Sequence, residues 1–177
     1  MTFGLTWETE TPDRKSALLK HIENAPGIRY RELLRLTGLS NGVLSHHLSG
    51  LEEAGLIQVH RKQTKTTRYY PVNISERETA VLSFIRHEPL RQIVLLLLEH
   101  DTCTLNDFVG FTNKAPSTIS GHLKCLKESG LIAAKRKDLH ILYRLVDREL
   151  ITDILSKYRE SFIEKSVDNF LGMFEEL

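Results

Sequence analysis

The chain has 177 residues, 41% of them hydrophobic and 27% charged, with a formal net charge of +1. That apolar content suffices for one core or two small ones, and the near-neutral balance argues against a generic polyanion binder, which is basic throughout. The longest apolar run, Ile93-Val94-Leu95-Leu96-Leu97-Leu98, is too short to span a bilayer, and residues 1–10 carry no basic-then-apolar leader, so a cytoplasmic protein is expected.

In chain order, Thr11-Pro12 opens a first helix, on which Leu18, Leu19 and Ile22 recur at helical spacing. Asn24-Ala25-Pro26-Gly27 stops it. A short second helix is expected over 31–37, followed by a turn at Gly38. Ser40 then caps a third helix over about 41–54, which Gly55 ends. The β-rich runs 56–59 and 67–72 flank a polar, basic loop and predict a hairpin. Ser75-Glu76-Arg77-Glu78 is a capping-box pattern ahead of Val81, Leu82 and Ile85, which predicts a linker helix over about 76–86. Pro89 opens a helix through His100. Thr104 caps another to about Thr112, and Pro116 starts a third that Gly130 closes. A second hairpin is expected from 131–134 and 139–146. A long helix over about 148–174 follows, with an apolar stripe of Ile151, Leu155, Tyr158 and Phe162, then Ile163, Val167, Phe170, Phe174 and Leu177.

This order contains a repeat. At a shift of 75 residues, 44–57 lies over 119–132, and Ser45, His47, Leu48, Leu51, Glu53, Gly55, Leu56 and Ile57 find identical partners. Arg61-Lys62 falls over Arg136-Lys137. Beyond the loop, Tyr70 is matched to Tyr143, which makes the second loop two residues shorter. The expected fold is therefore mainly α with small β-hairpins: two tandem winged helix-turn-helix domains plus a long C-terminal helix. The expected boundaries are 1–74 for the first domain, 75–88 for the linker helix, 89–146 for the second domain and 147–177 for a C-terminal dimerisation helix.

Charge is unevenly spread. Residues 54–74 carry +4 with no acid, whereas 147–177 carry −4. On a helical wheel Leu44, Leu48 and Leu51 of the third helix face a core, and Gly42, Ser45, His46, Ser49 and Glu53 face away. In the second unit Ile119, Leu123 and Leu126 face in, while Ser117, Ser120, Gly121, Lys124 and Glu128 face out. Small polar side chains let a helix enter a major groove closely, with hydroxyls and an imidazole within reach of base edges. His60, Arg61, Lys62, Lys65 and Arg68 make one basic tip; Lys135, Arg136, Lys137, His140 and Arg144 make the other, with Asp138 the only acid. Lysine and arginine at such a tip neutralise backbone phosphate. The DNA-contact set read from the sequence is therefore Asn41, Gly42, Ser45, His46, Ser49, Arg61, Lys62, Lys65, Arg68, Ser117, Thr118, Ser120, Gly121, Lys124, Lys135, Arg136 and Lys137. The longer first wing is expected to supply more of the phosphate affinity.

The runs 24–33 and 42–48, with Leu51-Glu52 and Arg68-Tyr69-Tyr70-Pro71, resemble archaeal winged-helix transcriptional regulators. The run 116–124, with Leu126 and Gly130-Leu131-Ile132, is similar to the ArsR/MarR-type winged helices. The resemblance spans about 12–146. It implies DNA binding through the third helix and wing, usually as a homodimer. The expected function is sequence-specific binding of double-stranded DNA in transcription regulation, with contact to the transcription machinery as a further expected partner. Two features depart from that pattern: Gly121 stands where the ArsR-type motif commonly has arginine, and the domain is doubled.

Other function classes leave weaker traces. Two cysteines, Cys103 and Cys125, are expected as reduced thiols, and there is no Cys-x-x-Cys, so neither a metal nor another cofactor is expected. His47 and His122 lie at the edge of the core side and are expected to be satisfied structural histidines. No phosphate-cradling glycine loop, paired carboxylates or Ser/His/Asp set suggests an enzyme. A protein-interaction module of the transcription machinery, a sequence-indifferent architectural DNA binder and a redox or ligand sensor remain as alternatives.

Overall fold

In the computed structural model of the chain the described residues are 14–61 and 66–162. They fall into two compact units, Met1–Ile74 and Ser75–Leu177.

In the first unit, α1 (Arg14–Asn24) buries Leu18 and Ile22, at the i, i+4 spacing that puts them on one face. The chain then forms a strand that its sequence does not announce, β1 (Ile28–Arg29). Gly27 precedes it with φ +80, and a Cβ there would lie 3.1 Å from the Tyr70 ring. Helix α2 (Tyr30–Thr37) begins one residue before the expected start, with the Glu32 carboxylate accepting from the Arg29 N–H at 2.9 Å. Gly38, at φ +63, closes α2 by donating its N–H to Leu34 O. Helix α3 (Asn41–Glu53) follows Ser40, whose side chain makes no cap bond although its carbonyl accepts from Leu44. Strands β2 (Ile57–Arg61) and β3 (Thr67–Pro71) complete a three-stranded antiparallel sheet in the order β1-β3-β2. One cluster holds the unit together: Leu18, Ile22, Ile28, Leu33, Leu44, Leu48, Leu51, Ile57 and Tyr69. Each fully buried leucine or isoleucine contributes about 1.5–3 kcal/mol relative to exposure.

The second unit repeats the plan. Helix α4 (Glu76–Ile85) carries the expected Ser75–Glu78 capping box and buries Val81, Leu82 and Ile85 within this unit, where α4 packs on α5 (Glu88–Glu99) and α8 (Arg148–Lys157). Helix α6 (Leu105–Thr112) is capped by Thr104 and Asp107, and Asn113 ends it at φ 52, the place Gly38 takes one repeat earlier. Asparagine tolerates that left-handed conformation better than other residues with a Cβ. Helix α7 (Pro116–Glu128) is followed by β4 (Ile132–Lys137) and β5 (His140–Leu145). Where the first unit has β1, the second has a single bridge, Cys103 with Tyr143.

Strand register corrects the repeat alignment. Ile57 pairs with Pro71, and Ile132 pairs with Leu145, so Tyr69, not Tyr70, is the counterpart of Tyr143. The second loop is one residue shorter, not two. It closes as a two-residue turn, Asp138-Leu139, between paired Lys137 and His140. A one-residue shift in register turns every side chain to the opposite face.

The C-terminal helix also departs from expectation. α8 ends at Lys157, and Tyr158, at φ −113 and ψ 22, leaves helical geometry. Tertiary contacts set this break. Arg86 donates to the Ser161 carbonyl at 3.1 Å and to its hydroxyl at 2.8 Å, and its guanidinium lies 4.4 Å from the Phe162 ring centroid. Ile151, Ile154, Tyr158 and Phe162 are buried in the second unit, with Ile154 in place of the expected Leu155. The chain returns to helix at 160–162, and the remainder of the expected helix, from residue 163, lies outside the described residues. No described helix is long and apolar enough to cross a membrane.

Candidate nucleic-acid interface

Each third helix is anchored by three apolar residues on one face: Leu44, Leu48 and Leu51 on α3, and Ile119, Leu123 and Leu126 on α7. That anchoring turns the opposite face outward. Asn41, Gly42, Ser45, His46 and Ser49 are exposed on α3; Ser117, Thr118, Ser120, Gly121 and Lys124 are exposed on α7. Nothing lies within 4 Å of a Cβ built at Gly42 or Gly121, so both stretches of helix surface are open. Tyr30 ties α2 to the start of α3 by donating its hydroxyl to Asn41 O at 2.8 Å. Lys124 lies 3.9 Å from Glu128, an exposed i, i+4 pair of small energetic weight.

The two wings differ. In the first, Arg61 donates both guanidinium nitrogens to Glu52 at 2.7 and 2.6 Å, binding strand β2 to the last turn of α3. The Arg61 hydrogen bonds hold the Glu52 carboxyl below its ordinary pKa and raise that of Arg61. Lys62 and Lys65 lie outside the described residues. Arg68 corrects the sequence reading. It is 7% exposed and donates to Gly27 O at 2.6 Å, so its charge is not presented to a backbone phosphate. Burial, with the nearby Arg29 charge second, lowers its pKa. In the second wing Lys135, Arg136 and Lys137 are all exposed, and among the described residues none of them has an ion pair. The register puts apolar Leu142 where the first unit has Arg68. Leu139, 91% exposed, stands at the tip beside these cations.

Sequence reasoning passed over Glu52, its repeat counterpart Lys127, and Leu139. The first two were visible in the 75-residue shift, which superposes an acid on a base. The exposure of Leu139 follows from the turn, which only the register defines.

Residues 12–82 match a family described as an N-terminal HTH domain, and residues 89–134 match the bacterial regulatory protein arsR family. The chain therefore carries two helix-turn-helix domains in tandem, each followed by a β-hairpin wing. An HTH-type transcriptional regulator of Methanocaldococcus jannaschii is 27% identical over 131 residues, 74% of this chain. This tandem protein spans only 33% of that relative's length. Among solved structures, the transcriptional repressor BigR from Xylella fastidiosa is 22% identical with a TM-score of 0.42, covering 47% of this chain and 84% of its own. Reduced HlyU from Vibrio cholerae is 23% identical with a TM-score of 0.41, covering 47% and 87%.

His122 is half-buried, its ring centroid 6.0 Å from that of His87; burial, with Lys114 second, lowers its pKa. His47 is not satisfied as expected, since its Nδ1 is buried without a hydrogen-bond partner among the described residues. Cys103 is buried, which raises its thiol pKa, and Cys125 is exposed. Among the described residues no group of three or more His, Cys, Asp or Glu is placed to hold a metal ion.

Proposed function

We propose that the chain is a sequence-specific double-stranded DNA-binding regulator that acts as a homodimer. The supporting observation is the arrangement found in each unit. A helix with a short, polar, exposed face over its first two turns stands beside a hairpin that carries cations. Side chains of that length reach base edges in the major groove, while the cations fix position on the backbone. The proposed contact set is Asn41, Gly42, Ser45, His46 and Ser49 from α3, and Ser117, Thr118, Ser120, Gly121 and Lys124 from α7. Lys62, Lys65, Lys135, Arg136 and Lys137 add phosphate contacts. The C-terminal segment is proposed to pair two protomers, which favours an inverted-repeat site.

Fluorescence anisotropy on labelled duplexes tests the reading. Affinity is expected to fall steeply with salt, by about 0.9 log units per log unit of salt for each phosphate neutralised. Selection from a random duplex library is then expected to enrich one motif. Absence of duplex binding at low salt would exclude DNA binding, and uniform recovery of sequences would exclude operator reading.

A further inference from the structure

The two wings hold one equivalent pair of positions in opposite electrostatic states. In the first unit the pair is Glu52 and Arg61, closed by two charge-assisted hydrogen bonds at 2.7 and 2.6 Å. The 75-residue repeat places Lys127 over Glu52 and Arg136 over Arg61. Strand register supports that equivalence, because Arg61 pairs with Thr67 and Arg136 pairs with Ile141, both at the same step from the buried Ile57 or Ile132. Both Lys127 and Arg136 are exposed, and among the described residues neither has an ion pair.

We infer that Lys127 and Arg136 form a backbone-phosphate site in which DNA supplies the anion that Glu52 supplies within the first unit, making the second wing the main electrostatic anchor. This deepens the DNA-binding reading and rests on it. Two cations at positions that elsewhere accommodate a bidentate ion pair repel each other, and a phosphate between them relieves the repulsion. Lys135 and Lys137 flank Arg136 and extend the same cationic edge. The first wing has no such surplus. Glu52 neutralises Arg61, Arg68 is buried, and only Lys62 and Lys65 remain from its basic run. Over helix and wing together, 116–145 carries +4 and 41–71 carries +2, with Arg68 included in the latter. The expectation from wing length is thus reversed.

The test measures the salt dependence of binding by the full chain to a mixed-sequence duplex. Lys127→Gln is expected to reduce the slope by about one unit, and Lys127→Glu by about two, because the new carboxylate also ties up Arg136. Glu52→Gln is expected to steepen the slope by up to about one unit, by releasing Arg61. Arg136→Ala/Lys137→Ala is expected to flatten it more than Arg61→Ala/Lys62→Ala. Arg61, Lys127, Arg136 and Lys137 are exposed and Glu52 is half-buried, and circular dichroism checks that each variant is folded. If the first-wing double variant flattens the slope as much as the second-wing one, or Lys127→Glu leaves it unchanged, the assignment is overturned while DNA binding stands. If the parent chain binds no duplex at low salt, the DNA-binding reading itself fails.

Discussion

Arg68 holds its guanidinium 2.6 Å from the Gly27 carbonyl oxygen, with 7% of the residue exposed. A buried charge is tolerated only with such partners, and removing it leaves the acceptor unpaired. Arg68→Ala is expected to cost about 1.5–3 kcal/mol of stability, read by denaturant unfolding, with less than one unit of change in the salt slope. Charge sign alone does not separate a wing cation from a core one. Arg68 sits in a basic run in sequence, yet β3 is the central strand of its sheet, so its side chains are covered. His122 gives a second prediction at this scale. Its folded-state pKa is lowered by burial, with Lys114 second. Above the unfolded value of about 6.5 both states are neutral and its full contribution to stability is present. As pH falls below that value the unfolded chain binds a proton that the folded one resists, so stability drops until the folded pKa is passed. The unfolding midpoint is expected to fall between about pH 7.5 and about pH 5.5, and to fall less in His122→Gln. An equal fall in both would place the titrating group elsewhere.

Among the elements, helices were the legible part. Their apolar residues recur at helical spacing, and Ser75–Glu78 and Thr104 mark starts that the structure shows hydrogen-bonded. The outward faces of α3 and α7 followed from the same periodicity. Three features were not legible, each for a physical reason. β1 has two residues, too few for any alternation, and exists because Gly27 allows the chain to pass close to the Tyr70 ring. The hairpin register depends on backbone pairing across the loop, and adjacent Tyr69 and Tyr70 offered two alignments. The break after α8 depends on Arg86, distant in sequence, holding Ser161 and Phe162. Gly27→Ala tests the first of these. At φ +80 an alanine is strained, and its Cβ would meet the Tyr70 ring at 3.1 Å. The substitution is expected to destabilise the first unit by about 1–3 kcal/mol and to speed amide exchange in β1 and β3. Unchanged protection there would show that the glycine is not required for the third strand.

For the whole molecule, burial within the second unit narrows which residues of the C-terminal apolar stripe can be proposed to pair two protomers. Ile151, Ile154, Tyr158 and Phe162 are buried within the second unit, alongside the Lys157–Glu78 ion pair and the Arg86 contacts. They belong to the fold of one protomer and are not offered to a second. From the expected apolar stripe, the residues proposed to meet a partner are Ile163, Val167, Phe170, Phe174 and Leu177, outside the described residues, on a segment that also carries Glu164, Asp168, Glu175 and Glu176. Those acids disfavour contact with a phosphate backbone and leave a protein partner as the better match. Truncation after Phe162 is therefore expected to give a chain that melts as cooperatively as the parent but sediments as a monomer. Its affinity for an inverted-repeat duplex is expected to fall far more than its affinity for a half-site, because two linked heads gain from effective concentration and one does not. A truncated chain that still sediments as a dimer would move the interface into the winged units, and would leave the acidic C-terminal segment without the role proposed for it.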